Sequence, residues 1–294
     1  MTNPLLQFDT LPDFRAIGPD HVTPAIDTLL QQAEQALERA VGPDVAPDYD
    51  AMSAVLDVAT ERLGRAWGVV SHLNSVADTP AMREAYNANL PRVTAFLTRL
   101  GADERLYAKY KAIAAAPSAA KLSAPRRKAL SNALRDFVLS GAELTGAAKT
   151  RFAEIQERQA ELGQKYHEHV LDATDGFEQF VDAAQLDGVP DDVRQATAQA
   201  AVAAGRDDGT HRLTLHQPVY RPVLEYARHR PLREALYRAY VTRASEFGPP
   251  ERDNGPLMRE LVDLRQEAAA LLGHATFADM SLVPKMARSP AKVA

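Results

Sequence analysis

Eight histidines, His21, His72, His167, His169, His211, His216, His229 and His274, are the side chains in this 294-residue sequence best suited to hold a metal ion or pass a proton near neutral pH. A helical zinc-hydrolase motif needs two of them at i and i+4, with a glutamate between as base, because that spacing puts both rings on one face. No two of the eight stand four residues apart. His167-Glu168-His169 comes nearest, but on a helix residues two apart point about 200° away from each other, so the two rings cannot grip one ion. These three residues read as the polar surface of a long helix. Glu225 and His229 have the offset of one helix face, which by itself is a surface contact. His72, in Ser71-His72-Leu73-Asn74-Ser75, reads as a buried, hydrogen-bonded, capping histidine at the end of an apolar helix that carries Trp67, the single tryptophan.

Other chemistries find no better footing. There is no Gly-x-Ser-x-Gly elbow for a nucleophile and no glycine-rich loop for a phosphate. The absence of cysteine removes disulfides, thiolate catalysis and cysteine-based zinc sites, and fits a cytoplasmic location. Asp191-Asp192 and Asp207-Asp208 fall at a helix start and in a turn, where negative charge is at home without any catalytic role. Tyr237, Arg238, Tyr240 and Arg243 lie close together in the stretch Leu236–Ser245. Such a group can line a peptide-binding cleft, although a stripe of this kind is by default half core and half solvated face. The residues themselves therefore nominate no catalytic, cofactor-binding or metal position.

The elements that would place these side chains are almost all helical. Thr23-Pro24 predicts a helix to about Arg39 after an irregular stretch over 1–22. Apolar periodicity predicts further helices from Tyr49 to about Leu73, from Thr79-Pro80 to about Leu100, and from Asp103 to Ala115. Ser123 and Pro125 open another, which Gly141 closes. Thr145 begins the longest, roughly 25 residues against a mean of about 11–12, with Phe152, Ile155, Leu162, Tyr166 and Val170 on its apolar face. Two alternating segments, 177–181 and 211–215, read as strands that pair antiparallel, with a helix opened by Pro190 and a turn at 205–209 between them. Helices return over about 218–229, 231–246, 256–272 and 276–281. The expected architecture is all-α with this minor β element, divided into an amino-terminal helical domain, 1–144, and a following part, 145–294.

Composition agrees. Hydrophobic residues make up 46% and charged residues 25%, normal for a globular chain, and the net charge of −5 gives no reason to expect nucleic acid or an anionic membrane as partner. The start lacks a basic region followed by an apolar core, and no apolar run approaches a membrane span. The last residues, Ser289-Pro290-Ala291-Lys292-Val293-Ala294, begin a helix that four residues cannot sustain. The expectation from this ending is the front part of a longer protein.

Six strings go further. Asn3-Pro4-Leu5-Leu6, Ser71–Val76, Asn132–Phe137 with Leu139-Ser140-Gly141, Leu171-Asp172-Ala173-Thr174, Tyr237–Tyr240 with Thr242–Ser245, and Lys285-Met286-Ala287 occur in that order. Together they resemble the amino-terminal part of the thimet-oligopeptidase-like zinc metallopeptidases. The resemblance implies a two-lobed helical enzyme around a deep channel that admits short, unfolded peptides. It also implies one zinc, held by a His-Glu-x-x-His helix and a distant glutamate, whose bound water attacks the scissile carbonyl. This sequence has no such motif, so the resemblance puts no catalytic or zinc residue on any position here. It implies instead a non-catalytic, channel-wall segment, inactive alone, whose partners are short peptides and a carboxyl-terminal catalytic half. Two other expectations remain open: a free-standing helical module that binds peptides without cutting them, and a segment that folds only with its other half and otherwise exposes apolar surface.

Overall fold

The computed structural model describes residues 3–206 and 209–294; the Asp207-Asp208 pair lies outside them. A 3₁₀ turn at Pro4–Leu6 leads into α1 (Pro19–Val41), α2 (Tyr49–Val76), α3 (Pro80–Gly101), α4 (Glu104–Ala115), α5 (Ala124–Leu139) and α6 (Gly146–Asp175). Then follow β1 (Gln179–Val181), α7 (Asp191–Ala203), β2 (His211–Leu213), α8 (Gln217–Tyr226), α9 (Arg230–Val241), α10 (Gly255–Leu271), α11 (Phe277–Leu282) and α12 (Pro290–Val293). The protein is mostly α-helical, as its composition and periodicity require. Among the described residues the one sheet is the expected antiparallel pair, with Gln179 opposite Leu213, Phe180 opposite Arg212 and Val181 opposite His211.

Local signals set most boundaries. Asp48 caps α2 by accepting from the N–H groups of Asp50 and Ala51, Thr79 caps α3 through Met82 N–H, and Asp103 caps α4 through Arg105 and Leu106. The α5 terminus needs a glycine. Gly141 sits at φ +84°, Ala142 N–H returns to Phe137 C=O at 2.9 Å and Gly141 N–H to Val138 C=O at 3.1 Å, the Schellman closure.

Of the boundaries that differ from expectation, two have a clear local cause. Helix α1 starts at Pro19 rather than Thr23, because His21 supplies the missing cap: its Nδ1 accepts the Gly18 N–H at 2.9 Å. Pro24 thus lies inside the helix, near enough to its start that few backbone bonds are lost. Helix α9 ends at Val241, short of the expected 246, as the chain turns through Ala244 at φ +48°.

The chain divides into two compact units. One runs to Glu161 and takes in Asp263–Ala294; the other is Leu162–Val262. In the first, α1 packs on both α2 and α3, with Val22, Ile26, Leu29, Val70, Val93 and Phe96 buried among them. A second cluster joins α1 and α2 to α4 and α5 through Leu37, Met52, Leu56, Leu106, Ile113 and Phe137. In the other unit the small sheet closes over Leu186, Val223, Leu232 and Leu236, with Val181 and Leu213 pointing into this core. Burying one such side chain stabilises by about 1.5–3 kcal/mol, so these clusters dominate the folding of each unit.

Candidate functional site

The histidines disperse when the chain folds. His72 is exposed on α2 rather than buried, and among the described residues it caps no helix end; its ring meets Phe14 edge-on at 5.5 Å. The helix continues past it to Val76, and the core stripe runs through Val69, Val70 and Leu73, leaving position 72 to solvent. Asn74, next to it, is buried, and its Oδ1 makes no hydrogen bond among the described residues. His229 does not share a helix face with Glu225. It caps α9, its Nδ1 accepting Leu232 N–H at 3.2 Å, while Glu225 on α8 pairs with Arg221 at 2.7 Å. His216 meets Asp175 at 3.2 Å on the surface.

Two histidines are internal. His169 was expected on the polar face of the long helix; it is 8% exposed. Its Nδ1 lies 2.9 Å from Asn254 Oδ1, and Asn254 Nδ2 donates to Tyr166 C=O at 3.1 Å. Because the amide NH₂ is committed to a carbonyl, Oδ1 faces the ring and Nδ1 carries the proton. Tyr166, counted on the apolar face, is exposed instead. His211 on β2 is also buried, its Nδ1–H directed at Arg194 C=O and Thr197 Oγ1 of α7, each 3.1 Å away. Both rings serve as internal struts. Among the described residues, no three His, Asp or Glu side chains come together in a way that can hold a metal ion. The described residues therefore offer no set that fits a zinc.

The tyrosine and arginine stretch splits by residue. Tyr240 stacks on Tyr220 with centroids 4.1 Å apart, and the Arg243 guanidinium lies over the Tyr240 ring at 3.7 Å. Arg243 also donates to Tyr240 C=O at 2.9 Å and to Thr174 Oγ1 at 2.7 Å. Gln217 reaches the Tyr240 hydroxyl at 2.9 Å. Tyr240 and Arg243 are thus spent on tying α6, α8 and α9 together within the second unit. Burial pushes the Tyr220 hydroxyl above its ordinary pKa. Tyr237 and Arg238 stay exposed on α9. Asp191 stands beside Arg194 at 3.7 Å at the start of α7, a helix-end charge pair.

The first unit carries a cavity of about 770 Å³ where α3 ends and α4 and α6 begin, lined among others by Thr98, Arg99, Asp103, Lys149, Phe152 and Glu157. Several of its charges are paired. Arg105 bridges Glu38 at 2.9 Å and Asp103 at 2.7 Å, Arg99 meets Glu34 at 3.2 Å, and Lys149 meets Glu104 at 2.7 Å. The Arg105 hydrogen bond holds Glu38 below the usual carboxylate range. Burial would raise Asp103, but hydrogen bonds from Arg105 and the backbone of Leu106 bring it below its ordinary value.

Comparison with known proteins bears on the whole chain. Residues 26–149 match the family described as Neurolysin/Thimet oligopeptidase, N-terminal domain, and residues 223–294 match Peptidase family M3. The chain is 40% identical to oligopeptidase A of Haemophilus influenzae and 42% identical to that of Salmonella typhimurium, in both cases over all of its own length and 43% of theirs. It is 36% identical to a probable cytosolic oligopeptidase A of Arabidopsis thaliana over 97% of this chain and 41% of that protein. The chain thus spans less than half the length of these relatives.

Proposed function

We propose, for a chain that belongs among the oligopeptidase A-like members of peptidase family M3, that it forms the non-catalytic amino-terminal scaffold of a cytoplasmic zinc metalloendopeptidase. In this reading the complete enzyme hydrolyses short, unfolded peptides, and these helices make part of the wall of its channel. The 1–144 stretch acts as an amino-terminal helical domain, and 145–294 leads towards the zinc-bearing half. The partners are short peptides and that carboxyl-terminal half. The chemistry a zinc supplies in such enzymes, activation of a bound water, belongs to residues outside this sequence. One observation carries the reading: the chain aligns from end to end with relatives more than twice as long, while no two of its histidines stand four apart.

Metal analysis and a quenched-fluorescence peptide assay test it. The expected outcome is no stoichiometric zinc and no chelator-sensitive cleavage by the isolated chain. One tightly bound zinc per chain, with cleavage abolished by chelator, overturns it. Exposed Tyr237 and Arg238 on α9 favour a second reading, a free-standing helical module that holds peptides without cutting them. Calorimetric titration with short unstructured peptides decides between them, since the module binds alone and the scaffold does not; absence of heat at millimolar peptide removes the module.

A further inference from the structure

Between α2, α4 and α5 of the first unit lies a smaller cavity, about 200 Å³, that the reading above does not use. Its walls include Tyr49, Met52 and Asp57 of α2, Tyr110 and Ile113 of α4, and Ala133 of α5. Two tyrosine rings and one carboxylate around a pocket this size form a particular chemical combination. Aromatic faces carry the negative lobe of the ring quadrupole and attract cations, and a carboxylate supplies the counter-charge. We propose that this cavity binds a primary ammonium on a short aliphatic stem, such as a lysine side chain or the amino terminus of a peptide, with Asp57 as counter-ion and Tyr49 and Tyr110 as walls.

Asp57 is the observation that carries the assignment. It accepts a hydrogen bond from Ser53 Oγ but has no cationic partner among the described residues. Its neighbour Asp50 does, pairing with Arg126 at 2.9 Å. Arg126 stands 5.6 Å from the centre of the Tyr49 ring, and Asp50 already pairs with it. Asp57 is solvent-exposed and brings the pocket a carboxylate without a cationic partner among the described residues, beside two aromatic rings. The Tyr110 hydroxyl makes no hydrogen bond among the described residues, so it is available as an acceptor for an ammonium N–H. The same environment acts on its proton: burial first, then the charge of Asp57, pushes the Tyr110 pKa up to about 12. The volume suits the ligand. At roughly 30 Å³ per water the cavity holds about seven waters, room for an ammonium and a four-carbon stem. Met52, Ile113 and Ala133 give that stem apolar contact.

The test uses the 294-residue chain with ¹³C-labelled tyrosine, its fold monitored by Trp67 emission. Butylammonium chloride is titrated against sodium chloride at equal ionic strength and against butanol, which has the same stem without the charge. Saturable shifts of the Tyr49 and Tyr110 ring signals are expected with butylammonium alone, weakened about tenfold or more in D57N, where one charge-assisted contact is lost. Y49L, which removes one wall and leaves the charge, is expected to weaken binding less. Nα-acetyl-lysine amide and alanine amide then compete separately: displacement by the first identifies a side-chain ammonium, by the second an amino terminus. The assignment is overturned by the absence of saturable shifts, by equal shifts with butanol, by undiminished binding in D57N, or by neither competitor displacing butylammonium.

Discussion

At the scale of single residues, what a side chain does here follows from what it meets. His169 and Asn254 stand 85 positions apart and satisfy one another in an interior where an unpaired donor is expensive. Asn254→Ala strips the acceptor from His169 Nδ1–H and the donor from Tyr166 C=O. It is expected to destabilise the second unit by about 1–3 kcal/mol, read by urea unfolding. An unchanged midpoint would sink this account of the pair. Tyr110 offers a pH prediction. Its folded pKa, about 12, lies above the ordinary tyrosine value near 10 that it takes when unfolded. The stability it lends is complete below pH 10 and is lost as the pH climbs towards 12, because only the unfolded chain then releases the proton readily. Denaturant midpoints taken from pH 9 to 12 are expected to fall less steeply in Tyr110→Phe than in the unaltered chain. Some of this was legible in sequence: the spacing of His167 and His169 excludes a shared metal. The burial of His169 was not, since its partner lies on another helix.

At the scale of elements, short-range signals carried most of the information. Thr79, Asp103, Pro190 and Gly141 act on neighbours within a turn of helix, and the helices and the strand pair stand close to where those signals put them. The start of α1 was missed because a histidine ring stands in for the usual cap. Glycines test the same logic. Gly188 and Gly141 both have positive φ, +91° and +84°, yet an added Cβ meets different obstacles. At Gly188 it falls 2.4 Å from the backbone oxygen of Tyr226; at Gly141 it falls 3.0 Å from the Phe152 ring, a side chain that can shift. Gly188→Ala is expected to cost more than about 2 kcal/mol, and Gly141→Ala about 1–2 kcal/mol. Thermal melts of the two variants check the order, and the reverse ranking would show that turn strain, not the close approach, governs both.

At the scale of the whole molecule, cohesion rests on apolar clusters, while charge contributes little. Most of the ion pairs, such as Arg92–Asp27 and Arg126–Asp50, are well exposed, and exposed pairs are worth about 0–1 kcal/mol each and are screened by salt. Raising sodium chloride from about 0.1 to 1 M, which shortens the Debye length from about 10 to 3 Å, is expected to change the unfolding free energy by no more than about 2 kcal/mol. A large loss on adding salt would mean that ion pairs carry more than this. Among the described residues no helix is long and apolar enough to cross a membrane.

The sequence by itself determined the helical class, the strand pair, most element boundaries and the kinship with oligopeptidase A, because each is written in local spacing or in ordered strings of residues. Tertiary structure alone decided that His169 and His211 are struts, that Arg243 is spent on Tyr240 and on Thr174 69 positions away, and that Tyr49, Asp57 and Tyr110 share one cavity. The physical reason is range. Caps and periodicity act over a few residues along one element, whereas burial and hydrogen-bond partnership arise only when side chains far apart in the chain leave water together.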